Sequence, residues 1–180
     1  MPLKPLPHRL SDCVVKDPSQ TEILLIQDGP AVQAARRVRD RLTQAVLPVG
    51  ASITKIKGAR LDKLFDDETV KSIIAALGVG IHLSYPPAPG EFDMTRLRYG
   101  KLIIATKPTP AGRFIRDQIV SLLFRFNRPL LEGGHVYRCA LDKRPEPNEA
   151  FENRVMKPAT RVLIPVRSGR SLLEVRKQLE

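Results

Sequence analysis

Positively charged side chains are the residues of this sequence best suited to chemistry, because they greatly outnumber the acidic ones. Thirty lysines and arginines stand against 19 aspartates and glutamates, which gives a formal net charge of +11. Such an excess attracts polyanions and supplies contacts to phosphate groups. A nucleic acid, or a protein that works on one, is therefore the favoured partner. Solubility alone and an anionic membrane surface are the alternatives.

Histidines, cysteines and tyrosines are scattered along the chain and form no catalytic pattern. The histidines lack a serine or cysteine partner. The cysteines lie far apart without a CxxC motif, which favours buried thiols in a reducing compartment. The tyrosines are interpreted as packing or surface residues. The residues concerned are His8, His82, His135, Cys13, Cys139, Tyr85, Tyr99 and Tyr137.

Two units of strand, turn and helix carry many of the basic residues. In the first, the apolar run at 22–27 predicts a strand buried on both faces, as in a parallel sheet. A turn at 28–30 follows, and Pro30 suits the first turn of a helix. Apolar residues at helical spacing then predict a helix whose other faces are basic. The stripe is Ala31, Ala35, Val38 and Leu42, and the basic residues are Arg36, Arg37, Arg39 and Arg41.

The second unit has the same order of elements. Residues 101–106 predict another buried strand, and the proline-containing break at 107–112 precedes a long helix. Its predicted core stripe is Ile115, Ile119, Leu122 and Phe126, with Arg113, Arg116 and Arg125 outside the stripe. Between the two units, Asp66 or Asp67 is expected to cap a helix that ends at Gly78. Strands that alternate with helices indicate an α/β fold with a mainly parallel sheet.

The chain divides into three predicted parts. Residues 1–20, with three prolines among the first nine, predict an extended N-terminal arm. Residues 21–140 form the α/β domain. Residues 141–180 predict a polar linker followed by a small C-terminal appendage, with a strand at 160–166 and a helix at 171–179. We expect a cytoplasmic, nucleoid-associated protein, because the chain shows neither a membrane-spanning apolar run nor an export signal.

Several short blocks are similar, in order and spacing, to one family of domains. They include LPHRLSDC from residue 6, EILLIQDGPA from residue 22, KLIIAT from residue 101 and GHVY from residue 134. Together they resemble the toprim domain of bacterial type II DNA topoisomerase B subunits, as in gyrase B and topoisomerase IV, over residues 6–139. The resemblance implies a toprim-like, Rossmann-like fold with helices flanking the sheet. It also implies Mg²⁺ as cofactor and a role in cutting and rejoining DNA.

The acidic residues that bind the metal in that family are replaced here. The resemblance places its glutamate at Gln27 and its three aspartates at Lys107, Thr109 and Ala111. Magnesium needs anionic oxygen ligands, whereas these positions offer an amide, an ammonium, a hydroxyl and a methyl group. Asp28 remains nearby but is interpreted as a turn residue. We therefore expect neither bound Mg²⁺ nor catalytic residues.

The favoured hypothesis is a non-catalytic, gyrase-B-like protein that modulates DNA topology or the maintenance of a mobile element. It would bind DNA, a topoisomerase subunit such as gyrase A, or both, and a homodimer is left open. One alternative is a subunit or fragment of an ATP-dependent type II topoisomerase that takes part in DNA cleavage and rejoining. Another is a protein-interaction module without DNA binding. The candidate DNA contacts are Arg36, Arg39, Arg41, Lys107, Arg113 and Arg116.

Overall fold

Short apolar runs form a five-stranded sheet. The computed structural model describes residues 5–50, 52–84, 86, 88–89, 91–139, 156 and 163–180. The strands are β1 (Glu22–Gln27), β2 (Gln44–Val49), β3 (Lys101–Ala105), β4 (Val136–Cys139) and β5 (Leu163–Pro165). They lie in the order β2-β1-β3-β4-β5, and all neighbours are parallel except β4 and β5. This mostly parallel sheet confirms the predicted α/β fold.

Helices cover both faces of the sheet. On one face, α1 (Pro30–Val38) packs its alanines and Val32 against Leu24 and Ile26 of β1. The intervening residues Ile23 and Leu25 face the other side, as strand geometry requires, and join the larger core cluster there. That cluster contains residues of α2 (Leu61–Asp66), α3 (Glu68–Leu77), α4 (Pro110–Phe126), α5 (Arg128–Glu132) and α6 (Leu172–Lys177).

The cap and end predicted for α3 and the apolar stripe predicted for α4 are confirmed. Asp67 caps α3, because its carboxylate accepts hydrogen bonds from the backbone N–H of Thr69 (2.8 Å) and Val70 (3.1 Å). Gly78 ends α3 in the left-handed conformation, with φ at 81°. The predicted stripe of α4 is buried at every position: Ile115, Ile119, Leu122 and Phe126.

Helix α1 is shorter than its apolar stripe predicts. It ends at Val38, and the side chains of Val38 and Leu42 are exposed rather than buried. The cause lies in the next turn, where Asp40 accepts hydrogen bonds from the Leu42 N–H (2.9 Å) and the Thr43 hydroxyl (2.6 Å). An aspartate turn of this kind competes with further helix and directs the chain into β2.

Strand β2 is not apparent from the sequence pattern. Its residues are buried throughout, but Pro48 lacks a backbone N–H and normally argues against a central strand. The fold accommodates this proline because β2 lies at the edge of the sheet. Its free side is partly covered by the N-terminal arm, where Ser11 and Val46 exchange two backbone hydrogen bonds of 2.9 Å.

Asp12 fastens the N-terminal arm to the segment that leads into β3. Its carboxylate accepts hydrogen bonds from the Tyr99 hydroxyl (2.6 Å), the Arg98 guanidinium (2.7 Å) and the Lys16 ammonium (3.0 Å). Burial acts to raise the pKa of Asp12, but these donors and the Cys13 N–H outweigh burial and lower the pKa to about 2. Burial and the bond to Asp12 raise the pKa of Tyr99. Tyr99 is therefore a packing residue.

The C-terminal strand and helix lie on the main sheet. β5 runs antiparallel beside β4, and Val166, Val175 and Leu179 belong to the same core cluster as α4. They occupy the regions where a strand and a helix are predicted. Most of the predicted linker lies outside the described residues. Across the described part of the chain, no helix is both long and apolar enough to cross a membrane.

The substitution Asp12→Asn should lower the free energy of unfolding by about 2 kcal/mol at neutral pH, since one pKa unit corresponds to about 1.4 kcal/mol. The folded-state pKa lies below the unfolded value. The extra stability of the wild type is therefore present above about pH 4 and is lost as the pH falls towards 2. Urea denaturation across this pH range measures the free energy of unfolding of both proteins. A difference between the two free energies that does not change with pH would contradict the prediction.

Candidate functional site

The carboxyl ends of β1 and β3 meet at one edge of the sheet, where both strands turn into helices. The strands are parallel neighbours, with Ile26 opposite Ala105. The helix α1 leaves β1 towards one face, and α4 leaves β3 towards the other. A crevice opens where the helices that follow two adjacent strands leave to opposite faces of the sheet. Open α/β sheets usually bind ligands in such a crevice. We call this edge, formed by residues 27–31 and 106–112, the strand-end site.

Gln27 and Lys107 come together at the strand-end site. The backbone N–H of Lys107 donates to the Gln27 Oε1 atom at 3.4 Å. Both residues line a pocket with residues 28–31, and the cavity volume is about 50 Å³. Drug-sized and nucleotide-sized ligands need about 300 Å³ or more. The pocket therefore has room for one small group, such as the oxygens of a phosphate.

Asp28 lines the same pocket, but its charge is already paired. It forms a salt bridge with Arg9 of the N-terminal arm, and its Oδ1 atom accepts a hydrogen bond from the Gly29 N–H at 3.0 Å. The Asp28 N–H itself donates to the Val49 carbonyl at 2.8 Å. Asp28 thus shapes the turn after β1, and Arg9 offsets its charge. Among the six residues that line the pocket, Lys107 carries the positive charge.

Thr109 and Ala111 begin α4 rather than line the pocket. The Thr109 hydroxyl oxygen accepts a hydrogen bond from the Gly112 N–H at 3.1 Å and so caps the helix. Gly112 lies very close to the strand ends. A Cβ atom there would lie 2.0 Å from the Lys107 carbonyl oxygen and 2.9 Å from the Gln27 Oε1 atom. Glycine is therefore needed for α4 to begin this near to β1.

The predicted DNA contacts fall into two groups. Lys107 is half-buried at the strand-end site, and α4 carries Arg113, which is exposed, and Arg116, which is half-buried, in its first two turns. The other three residues lie farther away, because α1 runs back from the strand-end site towards the amino end of β2. This second group consists of Arg36, Arg39 and Arg41.

Arg36 and Arg39 bind backbone carbonyls of the N-terminal arm. Arg36 donates to the Arg9 carbonyl at 2.7 Å. Arg39 donates to the carbonyls of Asp12 (2.9 Å) and Gln44 (2.7 Å). Arg41 is exposed in the turn before β2. A role for this group in DNA binding stays a prediction, and its first two members also have a structural role.

Two arginines outside the predicted set lie at this edge of the sheet. Arg9 pairs with Asp28, and nothing local in the sequence connects them. Arg138 is in β4, where its Nε donates to the Gln178 carbonyl at 3.0 Å and burial lowers its pKa. Arg138 directly follows the GHVY block, and nothing local in the sequence marks it as part of this edge.

Side chains suited to nucleophilic or metal chemistry stay apart. Within the described residues, no three histidine, cysteine, aspartate or glutamate side chains come together as a metal-binding group. Both cysteines are buried, and burial together with the charge of Asp12 raises the pKa of Cys13. Tyr137 packs against the core on the α1 face, and Tyr85 lies outside the described residues.

Comparison with known proteins gives one consistent result. No protein-family model matches the chain. The DNA gyrase B protein of Mycolicibacterium smegmatis is 36% identical to it over 155 residues, which are 83% of this chain and 22% of that protein. The DNA gyrase B protein of Mycobacterium tuberculosis strain H37Rv is 38% identical over 132 residues, 73% of this chain and 18% of that protein. The same values hold for the novobiocin-sensitive DNA gyrase B protein of Streptomyces niveus.

The chain is homologous to the B subunits of DNA gyrase. The similarity is to one region of these subunits, and the chain spans about a fifth of the length of the gyrase B relatives that it matches. The resemblance found in the sequence blocks is thereby confirmed. The Mycolicibacterium smegmatis gyrase B alignment covers 83% of the chain, more than residues 6–139 account for. Part of the segment after Cys139 therefore also has a counterpart in that relative.

Gly112→Ala should destabilise this gyrase B-like chain by about 1–3 kcal/mol, because the new methyl group would overlap the Lys107 carbonyl. Helix propensity alone predicts a gain of about 1 kcal/mol, so the sign of the change is informative. Gly50→Ala is the control, since a Cβ there meets only Ser52, at 3.3 Å. Urea denaturation compares the three proteins, and a Gly112→Ala variant as stable as the wild type would disprove the close approach.

Proposed function

We propose that this gyrase B-like chain binds DNA through backbone phosphates at the strand-end site and does not cleave it. The observation that carries the proposal is the charge of that site. Gln27 is neutral, Asp28 is paired with Arg9, and Lys107 supplies a positive charge. DNA binding and the lack of cleavage are inferences from this arrangement and from the homology.

Metal-dependent cleavage is a poor match to these side chains. A divalent ion in a nuclease or topoisomerase site is held by carboxylates, and it stabilises the charge that develops on phosphate oxygens. Two unit charges about 4 Å apart repel by about 4 kcal/mol at an effective dielectric constant of about 20. A Mg²⁺ ion beside the Lys107 ammonium would meet about twice that repulsion. The residue types present thus disfavour a metal ion at this edge.

Phosphate binding is a better match to the same edge. Helices α1 and α4 both begin there, and helix N-termini carry partial positive charge and unpaired N–H groups that suit anions. Lys107 and Arg113 add full charges beside those N-termini. The net charge of +11 raises the local concentration of DNA around the whole molecule. We infer that the ammonium of Lys107 contacts a phosphate directly, where the family uses a metal ion as the bridge.

A topoisomerase subunit is the proposed protein partner. The relatives are named as subunits of DNA gyrase. A homologue of gyrase B can dock on the surface of the partner subunit that gyrase B would otherwise bind. We propose that the chain contacts a gyrase A-type subunit and in this way modulates DNA topology. The homodimer and the link to a mobile element stay predictions.

The double variant Lys107→Gln/Arg113→Gln should bind duplex DNA more weakly than the wild type. The slope of log affinity against log salt should become shallower by about two units, since each phosphate contact contributes about 0.9. Fluorescence anisotropy in EDTA, over about 50–200 mM salt, measures both quantities without free metal. Addition of a gyrase A-type subunit should raise the anisotropy further.

The matched control is Arg96→Gln/Lys101→Gln. This control also removes two positive charges, but at the opposite end of β3, where both side chains are exposed. We expect this control to keep most of the wild-type salt dependence. Wild-type protein that fails to bind DNA in EDTA would overturn the proposal, and so would equal slopes for the two double variants.

A further inference from the structure

We propose that Arg113, Arg116 and Arg138 form a second anion site, beside the strand-end site, that binds one phosphate group. The inference rests on the proposed function, because the phosphate is expected to belong to the DNA backbone. It adds Arg138, which sequence reasoning did not select, and it assigns a ligand to Arg116. We call these three residues the arginine cluster.

The sheet register directs Arg138 towards α4. In the pairing of β3 with β4, Arg138 lies opposite Ile104. Side chains alternate along a strand, so Arg138 projects on the same face as Val136. Val136 and Ile104 both belong to the core cluster beneath α4. Arg138 therefore extends that face beyond the apolar core, at the carboxyl end of β4.

Helix α4 supplies the other two arginines from above. Arg113 and Arg116 are three residues apart, and side chains at this spacing lie on neighbouring positions of a helix surface. Arg116 follows the buried Ile115 and is itself half-buried, close enough to Arg138 and Arg113 for both charges to act on it. The three side chains thus lie in the same region, near the start of α4 and on the side where β3 and β4 end.

Two members of the arginine cluster are held in place by backbone carbonyls. The Nε of Arg138 donates to the Gln178 carbonyl at 3.0 Å, and Arg113 donates to the Pro108 carbonyl at 3.2 Å. Arg116 differs, since its Nε is buried and has no hydrogen-bond partner among the described residues. A buried N–H without an acceptor is costly, and the other N–H groups of this half-buried side chain can donate to a bound oxyanion.

The electrostatics agree with this geometry. Burial lowers the pKa of Arg116, the carboxylate of Asp117 raises it, and the like charges of Arg138 and Arg113 lower it, while Glu180 raises it. Burial also lowers the pKa of Arg138. The three like charges repel one another, and the carboxylates of Asp117 and Glu180 offset part of that repulsion. A phosphate group relieves that repulsion and accepts hydrogen bonds from several guanidinium groups at once.

The test uses the full chain with two probes, inorganic phosphate and a short duplex DNA. The side-chain Nε–H signals of Arg116 and Arg138 are followed by NMR during each titration, and anisotropy gives the affinity for DNA. The variants are Arg116→Gln and Arg138→Gln. The control is Arg96→Gln, which removes one exposed charge at the opposite end of β3. The melting temperature of each protein is recorded without ligand.

We expect both probes to shift the two Nε–H signals. Each cluster variant should lower DNA affinity about fivefold and reduce the salt slope by about one unit. The melting temperature of Arg116→Gln should stay equal to that of the wild type or rise, because this variant relieves repulsion. A lower melting temperature for Arg116→Gln would count against the site. The control should change DNA affinity much less.

The outcomes separate this inference from the proposed function. If the wild type binds DNA but both cluster variants behave like Arg96→Gln, the inference is wrong and the proposed function stands. If the wild type does not bind DNA, yet inorganic phosphate shifts both signals and Arg138→Gln abolishes the effect, the arginine cluster binds free phosphate and the proposed function fails. If neither probe shifts the signals, the arginine cluster is not an anion site.

Discussion

The function proposed for this protein depends on the positive charge at the carboxyl ends of β1 and β3. Both strands lead into helix N-termini at this edge, and the helix dipoles give these N-termini partial positive charge. Lys107 adds a full charge, and Arg9 offsets the carboxylate of Asp28. We propose that an edge with this balance attracts anions and disfavours divalent cations. The scaffold is homologous to gyrase B, and the side chains that fill the edge set its chemistry.

The packing of the fold holds these charges in place. Strand β1 is buried on both faces, which fixes its position against β3, and Gly112 lets α4 begin next to Gln27. The N-terminal arm is tied down by the bonds of Asp12 to Tyr99 and of Arg36 to the Arg9 carbonyl. This anchoring brings Arg9 to Asp28. The charge of the site therefore depends on an arm that lies outside the sheet.

Sequence patterns predicted those helices and strands whose formation depends mainly on their own residues. Apolar runs identified β1 and β3, capping residues identified α3, and an apolar stripe identified α4, because each signal lies within or next to the element itself. The end of α1 and the existence of β2 depend instead on the Asp40 turn and on an edge position that tolerates Pro48. The family resemblance also assigned Gln27 and Lys107 to one site, and the structure places them at the carboxyl ends of two neighbouring parallel strands. The pair of Arg9 and Asp28 and the position of Arg138 are set by contacts between distant segments, which no local pattern contains.

Titration calorimetry of the purified chain with Mg²⁺ and Mn²⁺ tests the central claim most directly. We expect no saturable binding by the wild type. We expect binding to appear in a variant that carries Gln27→Glu, Lys107→Asp, Thr109→Asp and Ala111→Asp, which together provide the carboxylates that the family resemblance implies. Tight metal uptake by the wild type, abolished by Asp28→Asn, would contradict the account.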